Sequence, residues 1–302
     1  ELNTLTLATE RDPLEMRIPR PADYTEADTG LFYAGFDAQE IMNKADESEE
    51  RQNTWMNDLF SLLSHGLTLV GIGDSDTHTV YTGPLGWPRT YVELANDAPS
   101  SFATQQEAFA TAIKDGHAVL ASGPHLQVTV TGDDSGGPGD RVLPRTADGM
   151  VTVTATLTMP DWIDVDTLRI YMNTPNTGAP AGATVATAPA PLVEQAIAVT
   201  TTAAGFGLFK NVATIAVDVA VPANGDAWLV VTATGESTPS LFPVIPDGGK
   251  PFALANAVYL DGNRNGVWDA PGNVTAGAFT ARPEVTLRGP KEAQANLPDV
   301  RE

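Results

Sequence analysis

Hydrophobic positions recur with two different periods along this chain, and the change comes near Leu126. Before it, Trp55, Leu59, Leu62 and Leu63 stand three and four apart. That spacing predicts a helix from about residue 46 to 65 with one face turned inward. Gly66 supplies its stop. Residues 67–73 are almost wholly apolar, as in a strand buried on both faces. Ala108, Phe109, Ala112 and Ile113 mark a second helix over about 104–115, and residues 118–121 read as the strand after it. With a further strand opening at Phe36, the order strand, helix, strand, helix, strand is that of an α/β fold.

After Leu126 the period drops to two. Residues 127–131, 151–158, 168–172, 197–202, 213–221 and 228–234 alternate and are rich in Val and Thr. Turn clusters at 132–139, 175–178 and 222–226 separate them. Short alternating strands between turn signals predict an immunoglobulin-like β-sandwich. The expected organisation is an α/β unit over residues 1–125 and an all-β sandwich over 126–302. The first 35 residues, broken by Pro13, Pro19 and Pro21, read as irregular; residues 174–191 read as a loop and the tail from Lys291 as a fraying end.

Composition narrows the function classes. Seventeen Lys and Arg against 38 Asp and Glu leave a net charge of −21 over 302 residues. Such a chain repels phosphate backbones and anionic membranes, so no nucleic-acid partner is expected. The absence of cysteine excludes disulfides and thiolate metal sites. Neither a Ser-His-Asp order nor a phosphate-cradling glycine loop is found, so covalent catalysis has no support.

The densest chemistry lies directly behind the apolar 67–73 run, at Asp74-Ser75-Asp76-Thr77-His78. Should the strand continue, alternation puts Asp74, Asp76 and His78 on one face. Two carboxylates and an imidazole form half of a divalent-metal site suited to zinc, manganese or iron. The same residues also describe an Asp- and Ser-rich turn with a solvated His. A second ion site is suggested by Asp261, Asn263, Asn265 and Asp269, with Gly266 between them, the first nine positions of a calcium loop. Position twelve is Gly272 instead of Glu, and a tight Asn-Gly turn joining two strands is the other reading. Among the remaining histidines, His65 fits a helix end, His117 a solvent-facing loop and His125 the junction of the two units.

Taken in order, residues 36–41 (Phe-Asp-Ala-Gln-Glu-Ile), the Asp-Ser-Asp-Thr-His run, Pro88-Arg89-Thr90-Tyr91-Val92 and Ser122-Gly123-Pro124 resemble the PHP (polymerase and histidinol phosphatase) superfamily of metal-dependent hydrolases. The similar branch is that of the carbaryl-hydrolase-like CehA/McbA proteins, and the resemblance runs from about residue 36 to 272. It implies a (βα) barrel whose strand ends hold metal ions. Asp76 and His78 match the family's last ligand pair, Asp74 lies where the family has Asn or Asp, and Glu40 matches a Glu ending the preceding strand, as a ligand or in strand-end packing. Arg89 matches an Arg that would face a substrate oxyanion.

The departures are as informative. The family opens its barrel with a His-x-His strand; the first His here is His65, and the family's His-Pro-Arg segment reads Ile18-Pro19-Arg20. The resemblance thus implies the C-terminal portion of a longer protein, with a partial barrel over 1–125 that is inactive without its missing N-terminal part. The expected function is hydrolysis of a small-molecule ester or phosphoester by a metal-activated water, in the periplasm or outside the cell. The alternative is a non-catalytic binding or cell-surface module built on a degenerate barrel remnant.

Overall fold

The computed structural model describes residues 36–44, 49–64, 66–78, 85–96, 98, 104–174, 188–223, 225–236, 241 and 249–271. The expectations for the first 35 residues, Ile18 among them, for His65, Gly272, most of the 174–191 loop and the tail lie outside these. In chain order the elements are β1 (Ala38–Met42), α1 (Glu49–Ser64), β2 (Val70–Gly73), β3 (Arg89–Val92), α2 (Gln106–Asp115), β4 (Ala118–Ser122), β5 (His125–Thr131), β6 (Ser135–Gly136) and β7 (Arg141–Val142). The chain continues through β8 (Met150–Pro160), β9 (Thr167–Met172), β10 (Val193–Ala196), β11 (Thr200–Gly205), β12 (Leu208–Ala220), β13 (Ala227–Thr234) and β14 (Phe252–Leu260).

Alternation of Thr with Val, Ala and Leu in β5 and β8 gives a sheet with one wet and one dry face. Its strand order is β11-β12-β8-β5-β6. The dry face, with Leu126, Val128, Val153, Ala155 and Leu157, packs on a second sheet of order β10-β9-β13-β14-β4-β3, which β7 joins beside β14. The protein is mostly β and layered as a sandwich. All eight residues of β13 are buried, because this second sheet is covered on its other face as well.

The second cover is α1 with the parallel pair β1 and β2. Met56, Leu59, Phe60, Leu62 and Leu63 of α1 join Ile41, Met42 and Leu69 against Leu120, Tyr171, Trp228, Val230 and Leu254 of the sheet. Phe60 stacks on Trp228 at 4.9 Å between centroids, and the indole Nε1 of Trp228 donates to Ser64 Oγ at 3.0 Å. Both helices end as their glycines predict. Gly66 and Gly116 take positive φ, and in each case the next amide reaches back to close the last turn, Leu67 to Leu62 and His117 to Ala112. Among the described residues no helix is long and apolar enough to cross a membrane.

Three expectations change. β4, expected as the last strand of the α/β unit, runs antiparallel to both β3 and β14. The division expected at 125/126 lies at the first residues of β5, and β3 and β4 from before it share a sheet with β9, β10, β13 and β14 from after it. The alternating 197–202 run forms β11 three residues later, while β3, β10 and β14 gave no signal read as strand.

One amide locks the front layer to the sandwich. Asn256 of β14 is buried; its Oδ1 accepts from the Gly71 amide at 2.6 Å, and its Nδ2 donates to the carbonyls of Gly71 at 3.0 Å and Ala118 at 2.8 Å. Gly71 has room for this because a Cβ there would stand 3.0 Å from Ile41 Cγ1 and 3.3 Å from Asn256 Oδ1. Along α1, Thr54, Asn57, Asp58 and Ser61 are also buried, at the spacing of one helical stripe. Burial pushes the Asp58 carboxyl up to about 7.

Two measurements test this account. Asn256→Ala leaves three buried backbone groups without their partner and is expected to cost on the order of 3 kcal/mol in urea unfolding; a loss below about 1 kcal/mol would mean the clamp matters little. Asp58 favours the folded state while protonated, so its contribution is complete below the unfolded value of 3.8 and is lost as pH rises through 7. The stability of Asp58→Asn relative to the natural protein should therefore be larger at pH 8 than at pH 5, by roughly 2–3 kcal/mol. A difference that does not change with pH would contradict it.

Candidate functional site

β1 and β2 run parallel, so their C-terminal ends open at the same edge. There the register shifts between Glu40 and Met42, a bulge of the kind that re-aims a side chain at a strand end. Glu40 is half-buried, accepts from Asn43 Nδ2 at 3.0 Å and shares a hydrogen bond with Asp74. Burial, the bond to Asp74 and the charges of Asp74 and Asp76 push the Glu40 carboxyl up to about 7, against the lowering effect of Asn43. The Glu40 and Asp74 carboxyls are therefore in direct hydrogen-bond contact.

β2 ends at Gly73, and residues 74–78 do not continue it. Strand alternation is thus not what gathers Asp74, Asp76 and His78. Asp74 Oδ1 instead accepts from the Asp76 amide at 2.8 Å, and Asp76 adopts a φ of 43°, a left-handed conformation that Asp tolerates better than most residues. The turn swings the chain round so that His78 Nε2 comes within 2.6 Å of Asp76 Oδ1. Both side chains are exposed, His78 at 80%. Gly73 is fixed from the other side by Thr90 Oγ1, which accepts from its amide at 3.0 Å and donates to its carbonyl at 2.9 Å.

The four residues expected as ligands thus meet at one edge, as two pairs: Glu40 with Asp74, and Asp76 with His78. Oxygen and imidazole donors of this kind suit zinc, manganese or iron, and a cation would offset the Asp74 and Asp76 charges that add to the effect of burial on Glu40. Among the described residues no group of three or more His, Asp or Glu side chains is arranged to hold one ion. The pairs fit part of a coordination sphere and not a whole one. Asn43 and Thr90, which orient this edge, were missed in the sequence; the signals were an amide three residues after Glu40 and the hydroxyl inside the Arg-Thr-Tyr-Val segment.

Arg89, expected to face a substrate, donates from Nε to the Gly86 carbonyl at 2.5 Å. Its guanidinium lies over Trp87 at 4.9 Å and Tyr91 at 5.9 Å. It belongs to the strand that pins Gly73, but its contacts are aromatic. His125 is exposed and meets Tyr91 edge-on at 5.1 Å. His117, expected in solvent, is half-buried with Nδ1 2.8 Å from the Pro138 carbonyl.

The Asp261 loop is closed by its own hydrogen bonds. Asp261 is fully buried, pairs with Arg141 at 2.5 Å and accepts from the amides of Asn265 and Gly266. Asn263 and Asn265 turn their Nδ2 groups onto Asp269 Oδ2, at 3.3 and 2.8 Å. The loop thus turns amide nitrogens toward the Asp269 carboxylate and pairs Asp261 with an Arg. A separate cavity of about 220 Å³ lies between α1 and β9, β13 and β14, lined by Arg169, Lys250, Glu49, Glu236 and Tyr171 among others, and includes none of the candidate ligands.

The Glu40 assignment predicts a carboxyl that titrates near 7 in chelator and moves down when zinc or manganese is added, read by carbon-detected NMR. Because the raised value favours the protonated fold, Glu40 contributes stability that falls as pH rises from 4.5 through 7, and Glu40→Gln removes that part of the slope while leaving the part due to Asp58. A midpoint below 5 in chelator would be incompatible with the Glu40–Asp74 contact. Comparisons with protein-family models, with curated proteins and with solved structures return no match for this chain.

Proposed function

We propose that this chain is the C-terminal portion of a metal-dependent hydrolase similar to the PHP superfamily, acting on a small-molecule ester or phosphoester. The observation that carries the reading is the meeting of Glu40, Asp74, Asp76 and His78 at the shared end of β1 and β2. In this reading β1-α1-β2 is the late part of a PHP-type barrel, the layered sheets are an appended immunoglobulin-like sandwich, and the protein works in the periplasm or outside the cell. The remaining ligands come from outside the described residues, since two pairs do not complete an ion's coordination.

Asp76 and His78 would hold a divalent ion at this edge, which would supply Lewis acidity toward a substrate oxygen and lower the pKa of a bound water. Asp74 holds the turn that presents them, and Glu40 takes or returns a proton from the half-buried side of the edge. Arg89 steadies negative charge on the substrate after leaving the Gly86 carbonyl, with Trp87 and Tyr91 keeping its plane oriented. Calcium in the Asp261–Asp269 loop is part of the proposal and needs Arg141 to release Asp261 and both Asn amides to turn their oxygens inward.

The exposure of His78 and the split into two pairs favour a second reading, a non-catalytic module in which this edge binds a ligand without hydrolysing it. Mass-spectrometric metal content of the full-length protein separates the two, read with hydrolysis of 4-nitrophenyl phosphate and 4-nitrophenyl acetate. The natural protein should retain zinc, manganese or iron and turn over one substrate, and His78→Ala should lose most of both. Equal metal in the two proteins would end the hydrolase reading. Calcium is read in the same analysis.

A further inference from the structure

The β11–β12 hairpin carries apolar side chains that the other described residues leave largely uncovered. Phe206 is fully exposed at its tip, and Leu208 and Phe209 are 65% and 53% exposed. The adjoining sheet ends below them: Pro160, the last residue of β8, pairs with Lys210, and beyond that row the hairpin is only two strands wide, with Ala203 opposite Phe209 and Gly205 opposite Leu208. Gly205, Phe206 and Gly207 all take positive φ, so the turn is a tight convex point. A convex point bearing two phenyl rings and a leucine is out of keeping with an ordinary solvated hairpin.

Its charge is also out of keeping with the rest of the chain. From Gln195 to Val217 there is no Asp or Glu, and Lys210 is the sole charged residue, in a protein with 38 acids and a net charge of −21. We propose that this hairpin tip is a membrane-interface anchor that inserts Phe206, Leu208 and Phe209 into the head-group region of a zwitterionic lipid bilayer. Aromatic side chains favour that region, and an acid-free tip lets an otherwise acidic body approach it. Lys210, one row back from the rings, sits at the depth of the lipid phosphates. The −21 body sets the lipid class, because it is repelled by a surface of net negative charge.

A second copy of the chain fits the tip less well. The three side chains offer on the order of 400 Å² of exposed apolar area, against about 800 Å² per partner in a stable dimer. The body charge further opposes self-association, and a bilayer, unlike a folded partner, accommodates a small wedge. The inference does not depend on metal chemistry at β1 and β2.

Flotation with phosphatidylcholine vesicles tests it, with a parallel arm containing one third phosphatidylglycerol at low salt. The natural protein should float with phosphatidylcholine and no better with the anionic mixture. The double variant Phe206→Ser with Phe209→Ser should lose roughly tenfold or more in partitioning. Both rings are exposed, so its thermal midpoint should be unchanged; a single variant, Leu208→Ser, gives a second reading should the pair fold poorly. No flotation of the natural protein, equal flotation of the variants, or a dimer in sedimentation velocity that the substitutions dissociate would each overturn the proposal.

Discussion

The hydrogen bonds between the Asn256 side chain and the backbone of Gly71 govern where the chemistry of this protein can be. β2 forms a ladder only with β1 among the described strands, and a two-stranded sheet has little stability by itself. Asn256 answers both backbone groups of Gly71 from the centre of the sandwich and takes the Ala118 carbonyl in addition. Two residues on, Thr90 does the same for Gly73. Between them, β2 is held on the sandwich sheet through side chains in place of a ladder, and the point at which Asp74 leaves the strand is fixed. The absence of a side chain at Gly71 is part of this bond, because a Cβ would separate the partners.

That attachment explains the doubly covered sheet. β13 and β14 face the sandwich core with one set of side chains and α1 with the other, so Trp228, Val230 and Leu254 pack under the helix while Leu229, Val231 and Ala255 pack under the outer sheet. The front layer is consequently tied to the sandwich sheet as far as Gly73. The bulge at Glu40 and the left-handed Asp76 then do locally what a continuing strand cannot, turning four polar side chains toward one edge. Burial first, and the neighbouring Asp74 and Asp76 after it, oppose ionisation of Glu40 at this edge. A cation at the edge would reverse the opposition, which is the physical ground of the hydrolase proposal.

The hairpin tip stands at the other extreme of restraint. Its side chains are largely exposed among the described residues, and the strands beneath it end one row earlier. Surface of that kind in an acidic chain acquires a purpose only in a medium that accepts apolar groups.

Both helices and the strands β5, β8, β9 and β13 were legible in the sequence, because each carries a single clear period or a continuous apolar run. The Asp-Ser-Asp-Thr-His run was legible as a cluster, although its convergence comes from an Asx turn and a positive φ that periodicity does not encode. β14 was not legible. Its run Phe-Ala-Leu-Ala-Asn-Ala-Val-Tyr-Leu is rich in Ala and holds an Asn, which lowers strand propensity, and burial on both faces erases alternation. Nor could the sequence reveal that β4 crosses into the sandwich sheet, since its apolar residues suit a parallel or an antiparallel neighbour equally. Composition and spacing by themselves determined the β-sandwich character of the chain after Leu126, the charge and the candidate residues. Which strands are neighbours, and hence that Asn256 reaches Gly71 across 185 positions of chain, was decided by tertiary packing, because such pairing depends on shape and hydrogen-bond closure between distant segments and not on any local pattern.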